Sequence, residues 1–297
     1  MEGVAKVSKK RFREEKVLSF LFLAPAVLLI VCMTLIPILY AFNTSLHATQ
    51  YAEIKKFVGL QYYMEILGSS KGWKSIFNSI TYVLMSLALV IPLGVITAVL
   101  LNRKIKGRTG IRTLIIIPWV LSQTVTALLF KWLLNSNYGP VSYLWYSVTG
   151  QKIDFFNTAA AAKVTVVLAN VWNSFPIVLI LVLAALQGIS RDVYEAAQVD
   201  GAAKLQTFFK ITLPLLKPTI LTAIVLQSME YFNMVTLIYT LTSGGPFDAT
   251  QTMSVLAFKE GFDYWHLGYG SASSIIILVL NMLFSLIYMK ILRKKDD

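Results

Sequence analysis

Six stretches of this 297-residue chain are long and apolar enough to cross a lipid bilayer. They lie near residues 17–42, 76–101, 109–134, 164–188, 218–241 and 271–292. A helix rising 1.5 Å per residue needs about 20 apolar residues for the crossing. Lipid offers the backbone no hydrogen-bond partners, so runs of this kind fold as helices. The expected fold is an all-α membrane protein with six transmembrane helices. Pro25, Pro37, Pro92, Pro118 and Pro176 fall inside these runs. In water they would break a helix, whereas in a bundle neighbouring groups re-satisfy the freed carbonyls. Composition agrees: 56% of residues are hydrophobic and 14% charged, and the mean hydropathy is +0.65. That balance excludes a disordered chain and an ordinary water-soluble globule. The first run follows a basic segment, but at about 26 residues it exceeds the 7–15 of a cleavable signal sequence. It is read as a retained helix.

The basic residues test the topology. With both ends in the cytoplasm, the inner segments are 1–16, 102–108, 189–217 and the tail. Together with Arg112 they carry 19 of the 27 Lys and Arg, and the outer segments carry 8. The excess marks an N-in, C-in orientation, most cleanly in Arg103-Lys104-Ile105-Lys106-Gly107-Arg108. The net charge of +12 therefore reads as orientation signal and headgroup contact, not as a nucleic-acid footprint. A single cysteine, Cys32, excludes an internal disulfide and a Cys-based zinc site. It reads as a packing residue of the first span. Two histidines leave little for a metal cluster. Residues 1–16 form the expected cytoplasmic N-terminus, 17–292 the six-helix domain, and 293–297 a cytoplasmic tail.

The inner segment 189–217 is more than a connector. Ser190 can cap a helix starting at Arg191, with Asp192 in the first turn where the dipole favours an acid. Glu195, Ala196 and Ala197 are strong helix formers, and Gly201 supplies a break. A second short helix is expected from about Ala202 to Thr212, with Leu205, Phe208, Phe209 and Ile211 on its apolar face. Pro214 and Pro218 are expected to end it and open the fifth span. By pattern alone this pair is a docking surface or an interfacial helix lying on lipid.

Glu195-Ala196-Ala197, Asp200-Gly201-Ala202, Phe208, Ile211, Leu213-Pro214 and Pro218 resemble, in spacing throughout, the "EAA" loop of permease subunits in binding-protein-dependent ABC importers. Leu241-Thr242-Ser243-Gly244-Gly245-Pro246 with Ala249-Thr250 is similar to a loop of the carbohydrate-uptake branch, in the subunit type of the maltose transporter's larger membrane protein. Phe57-Val58-Gly59-Leu60 with Tyr63, and Asn135 with Gly139-Pro140, add to the likeness. The resemblance implies a type I ABC importer permease core in its minimal six-helix form, multi-pass in a prokaryotic cell membrane. It implies a homologous second permease, two ATP-binding subunits and an extracytoplasmic solute-binding protein as partners. It also implies that no cofactor sits in this chain, with ATP and Mg held by the ATPase subunits. Gly68 to Ser75 fails the phosphate-loop spacing, so the chain is expected to lack an ATPase site and to be no enzyme. In the family the loop is a coupling helix seated in a cleft of the ATPase. Glu195 then anchors, Asp200 caps or docks, and Ala196, Ala197 and Ala202 belong to the coupling motif, with close packing alone as the other reading of Ala196 and Ala197. Gly201 permits the bend and a close approach, Phe208 and Phe209 are candidate apolar anchors, with packing of one of them on the permease's own helices as the alternative, and Pro214 belongs to the same motif.

Polar residues within the spans suggest a pathway. Gln227, Glu230, Tyr231 and Met234 recur at i, i+3, i+4, i+7 and so share one helix face. Amide, carboxylate and ring together suit a sugar, whose hydroxyls want directional bonds and whose C–H faces stack on rings. The same pattern also suits an interhelical polar cluster. A charge at the depth of Glu230 must face a cavity or a partner. Asn170, Asn173 and Ser174 share a face with Ile177 one turn on, and Trp119 and Gln123 are one turn apart. By likeness to the maltose subunit, Trp119, Gln123, Asn170, Asn173, Ser174, Ile177, Gln227, Tyr231 and Met234 correspond to cavity positions. The function these features imply is uptake of a sugar or oligosaccharide. The alternatives are a permease for glycerol-3-phosphate or a polyol, and an ion-coupled secondary transporter using Glu230.

Overall fold

The computed structural model describes residues 2–51, 53–103 and 106–293, with side chains described from Phe22 to Lys290. Lys104 and Ile105 of the short basic segment, and residues 294–297 of the tail, lie outside the described residues. The chain opens with helix α1 (Glu2–Ser45). An antiparallel hairpin follows, β1 (His47–Gln50) and β2 (Glu53–Phe57), with Thr49 opposite Ile54. This hairpin is an addition to the helical fold that no apolar run signals. Next come α2 (Gln61–Gly68) and α3 (Ser70–Asn102). Ser69 caps α3 by accepting from the Gly72 N–H at 3.0 Å. Then come α4 (Arg108–Val120), α5 (Gln123–Leu133), α6 (Pro140–Thr149) and α7 (Ala159–Gly188). The second half holds α8 (Arg191–Val199), α9 (Lys204–Thr207), α10 (Leu213–Phe232), α11 (Thr236–Thr242), α12 (Met253–Phe258) and α13 (Leu267–Arg293).

Among the described residues, five helices are long and apolar enough to cross a membrane, within Phe22–Ser45, Ser70–Asn102, Ala159–Gly188, Lys204–Phe232 and Leu267–Lys290. A sixth crossing requires α4 and α5 together, and these meet at 97°. The single helix expected over 109–134 is thus two. The cause lies at Pro118 and Ser122. Pro118 lacks the N–H that would hydrogen-bond one turn back, and Ser122 accepts from the Val125 N–H at 3.3 Å, starting a new helix. Trp119 and Gln123, expected one turn apart, stand on opposite sides of the bend.

The fifth run also differs from expectation. The short helix after Gly201 does not stop at Pro214. It runs from Lys204 through a π-helical turn, Phe208–Thr212, into α10. The Leu213 N–H reaches back five residues to the Phe208 carbonyl, and the widened turn sits just before the proline, which has no N–H to place. At its far end α10 stops at Phe232, and a short break precedes α11.

The core is the seam between α3 and α7, closed by α10. Val83, Val90 and Ala98 of α3 and Val178, Leu179 and Val182 of α7 are all buried in the core, each under 2% exposed. The two helices touch so closely at Gly94 that a Cβ would lie 2.5 Å from Val178 Cγ1. Helix α1 packs on α13 and leaves Phe22, Leu28, Met33 and Leu39 more than half exposed. That is the apolar surface a lipid-facing helix presents. Cys32 is exposed there too, so it packs on no core neighbour.

Candidate functional site

Three polar regions are built on this frame. At one end, segment 189–217 folds into an elbow. Ser190 accepts from the Asp192 N–H at 3.3 Å and starts α8. The helix ends at Gly201, whose φ is +74°. The Gly201 N–H donates to the Gln198 carbonyl at 3.0 Å and the Ala202 N–H to the Ala197 carbonyl at 2.9 Å. This pair of bonds is a Schellman motif, which needs a left-handed residue at the turn. An L side chain there costs about 1–2 kcal/mol. A Cβ on Gly201 would still meet nothing within 4 Å. The bend therefore demands glycine, and the expected close approach is not made within this chain.

Around the elbow the candidates divide. Ala197 is 4% exposed and turned toward the bundle, and Ala202 is half-buried. Glu195, Ala196, Asp200 and Pro214 are exposed. Asp200 sits at the negative end of α8, where an acid is disfavoured, and faces solvent. Phe208 packs against the core, while Phe209 meets it edge-to-face, ring centroids 5.0 Å apart, and is 60% exposed. Of the two expected anchors, one holds the elbow to its own bundle and the other projects. Val199 and Leu205 project as well. Thr212 donates to the Tyr194 hydroxyl at 3.4 Å and ties α8 to the root of α10.

Mid-bundle, the Tyr231 ring is 1% exposed. Its hydroxyl pairs with Ser174 Oγ at 2.6 Å and accepts from Gln227 Nε2 at 2.8 Å. The Asn170 amide lies beside it but outside hydrogen-bond geometry. Tyr82 of α3 packs on the Tyr231 ring, centroids 6.1 Å apart. Asn173 does different work. Its Nδ2 donates to the Pro118 carbonyl at 2.7 Å, the Leu121 carbonyl at 3.3 Å and Thr126 Oγ1 at 3.1 Å. Those carbonyls end α4, so Asn173 satisfies the groups that the α4–α5 bend leaves over. Asn170, Asn173, Ser174, Gln227, Tyr231 and Met234 are all buried inside the chain. Glu230 is not. It turns out with Leu226, Met229 and Asn233 on the free face of α10. The face expected to hold Gln227, Glu230, Tyr231 and Met234 together therefore splits, with three residues inward and Glu230 outward. Trp119 is 48% exposed, and Gln123 and Ile177 are half-buried.

At the opposite end from the elbow, the loop 243–252 is held from below. Asn78 Nδ2 donates to the Asp248 and Gln251 carbonyls at 2.9 and 3.0 Å. Ser79 Oγ accepts from the Met253 N–H at 2.8 Å, and Lys74 donates to the Phe247 carbonyl. Thr250 Oγ1 bridges Thr242 Oγ1 and the Gly245 carbonyl. The result is a braced loop whose tip, Phe247, is 88% exposed.

Residues 90–296 match the family described as binding-protein-dependent transport system inner membrane component. The chain belongs to this family. It is 34% identical to the trehalose/maltose transport system permease protein MalF of Thermococcus litoralis, with 98% of each chain covered. It is 30% identical to the sulfoquinovosyl glycerol transport system permease protein SmoG of Agrobacterium fabrum, over 95% of this chain and 92% of that one. A crystal structure of a bacterial ABC transporter that imports the acidic polysaccharide alginate contains a chain of the same fold. Its TM-score is 0.79 at 20% identity, over 97% of this chain and 99% of that one. The protein is thus an inner-membrane permease subunit of an ABC importer.

Parts of this permease were invisible to pattern reading. Glu260, 8% exposed, takes Lys71 Nζ at 2.9 Å and His266 Nδ1 at 3.0 Å, joining the start of α3 to the start of α13. Lys71 and Glu260 are 189 residues apart, and neither lies in a motif. Asn78, a polar residue two positions into an apolar run, carried a weak signal. Tyr82 carried none.

Proposed function

We propose that this permease imports a sugar or oligosaccharide, and that segment 189–217 couples it to separate ATPase subunits. The observation carrying the coupling is the elbow at Gly201. A rigid, glycine-dependent turn presents Glu195, Asp200, Val199, Leu205 and Phe209 outward, while Ala197, Phe208 and Tyr194 bind it to α10 and the bundle. A force applied to the projecting side chains is transmitted to α10, the helix that carries Gln227, Glu230 and Tyr231. ATP and Mg belong to two partner ATPase subunits, and the chain itself hydrolyses nothing. A second homologous permease completes the pathway, and an extracytoplasmic solute-binding protein delivers the solute to the braced loop around Phe247. Both chain ends lie in the cytoplasm, with the elbow.

The named solutes of the relatives support a carbohydrate. So does the free face of α10, where Glu230 and Asn233 offer hydrogen-bond groups beside Met229 and Leu226. A carboxylate at that depth needs a cavity or a partner subunit rather than lipid. The buried set around Tyr231 supports this wall from behind, and Asn173 shapes it by holding the α4–α5 bend that carries Trp119.

The test is uptake by the assembled transporter. Gly201→Asp abolishes uptake while the permease remains inserted and assembled with its second permease. Normal uptake by that variant overturns the coupling role. Uptake that survives loss of the ATPase subunits and collapses with an uncoupler overturns the ABC assignment in favour of Glu230 as an ion carrier.

A further inference from the structure

Between the ends of α3 and α7 and the starts of α4 and α8 lies an open cleft of about 870 Å³. Its polar lining is Asn102, Lys106, Arg108, Gln187, Arg191 and Tyr194. Three of these are cations and none is an acid. Among the described residues, none of the three cations has an ion-pair partner. The nearby Asp192 is engaged by the Ser190 hydroxyl at 3.1 Å and does not line the cleft. Helix α4 opens into this region with Gly107 as its N-cap and no side-chain cap, so its first N–H groups add partial positive charge. One turn further, on the same helix face as Arg108, the Nε and Nη2 of Arg112 are buried without a hydrogen-bond partner. Unpaired buried polar groups are costly, so this corner is short of negative charge.

We propose that this cleft binds an anionic phosphate group, supplied by a phospholipid headgroup. Guanidinium groups match phosphate oxygens in geometry as well as charge. The level fits, because the cleft lies where the apolar helices α3 and α7 end, which is headgroup depth. On the orientation proposed above, that is the inner leaflet, where basic side chains meet anionic lipid. The inference does not depend on which solute is carried.

The experiment is native mass spectrometry of the assembled transporter, equilibrated with equal amounts of phosphatidylglycerol and phosphatidylcholine. The expected result is selective retention of phosphatidylglycerol. The triple variant Lys106→Gln, Arg108→Gln, Arg191→Gln lowers that retention by about fivefold or more for each charge removed. The charge-preserving variant Arg108→Lys, Arg191→Lys keeps most of it, and unchanged elution of both complexes on gel filtration shows that they are folded. Displacement of the lipid by millimolar inorganic phosphate upholds the anion site and reassigns its source to soluble phosphate. Equal retention of the two lipids, or retention unchanged in the triple variant, overturns the proposal. So does lipid that binds the permease pair but is expelled when the ATPase subunits assemble, because the cleft then belongs to that interface.

Discussion

The cluster around Tyr231 and the elbow around Gly201 are both polar, and they are built on opposite principles. Around Tyr231 the donors and acceptors turn toward one another: Ser174 and Gln227 both meet the Tyr231 hydroxyl, in a chain of bonds with no solvent-facing member. Around Gly201 the turn itself is closed by backbone alone, through the Gln198 and Ala197 carbonyls, and most of its side chains, Glu195, Val199, Asp200 and Leu205 among them, face away. The first region spends its polarity on fixing α7 against α10. The second keeps a fixed backbone and leaves Glu195, Val199, Asp200, Leu205 and Phe209 exposed. On the function proposed above, a buried candidate in this permease is a positioning group and an exposed one is a contact.

The largest effect that could break this contrast is at Gly201. Within the elbow, uptake should rank Gly above Asn, Asn above Ala and Ala above Val, because the cost lies in positive φ and not in space. Ala should cost about 1–2 kcal/mol of turn stability, and Asn, which visits the left-handed region most readily, should cost less. Uptake by membrane vesicles gives the order, and equal activity for Asn and Val would remove the backbone argument. A comparable structural loss is expected at Gly94, where any side chain meets Val178. Gly94→Ala should destabilise by about 1–3 kcal/mol in denaturant titration, with partial rescue by Val178→Ala. Additive losses would mean the two helices do not touch as described.

The two phenylalanines sharpen the comparison inside a single turn. Phe209→Ala should cut ATP-driven uptake while leaving the thermal midpoint of the isolated permease near that of the parent. Phe208→Ala should lower the midpoint, since a fully buried ring loses about 3–5 kcal/mol of stability and this half-buried one loses less. Equal behaviour of the pair would erase the distinction between anchor and contact. A smaller effect is expected at Tyr231→Phe, which strands the Gln227 amide and leaves Ser174 its bond to the Asn170 carbonyl. The cost should be about 1–2 kcal/mol in stability, with solute preference unchanged. By contrast Glu230→Gln should change the relative uptake of neutral and acidic sugars without changing stability. If Tyr231→Phe shifts preference and Glu230→Gln does not, the buried ring contacts solute and the split of α10 into two faces is wrong.

The helical runs were readable because burial in lipid demands a long apolar stretch, and nothing but a helix satisfies it. The elbow was readable because its turn chemistry is local: Ser190, Asp192 and Gly201 act on backbone groups within five residues of themselves. The bend between α4 and α5 was hidden. Ser122 and Pro118 announce a weak point, but the bend persists because Asn173, more than fifty residues on, takes up the Pro118 carbonyl. The fifth span was misjudged at both ends for a related reason. Pro214 and Pro218 look like helix stops, yet a π-helical turn ahead of Pro214 lets the helix continue.

Periodicity placed Glu230 with Gln227 and Tyr231, since three and four residues apart is one face of any helix. A face is about a hundred degrees wide, and where the boundary between bundle and open surface falls within it depends on how α10 is rotated against α3 and α7. Local spacing thus determined the long apolar helices, the turn at Gly201 and the likeness to a family of importers. Which polar groups satisfy one another, which of two adjacent phenylalanines stays home, and which side of α10 is free were decided by packing. They depend on distances between residues that the chain brings together only once it has folded.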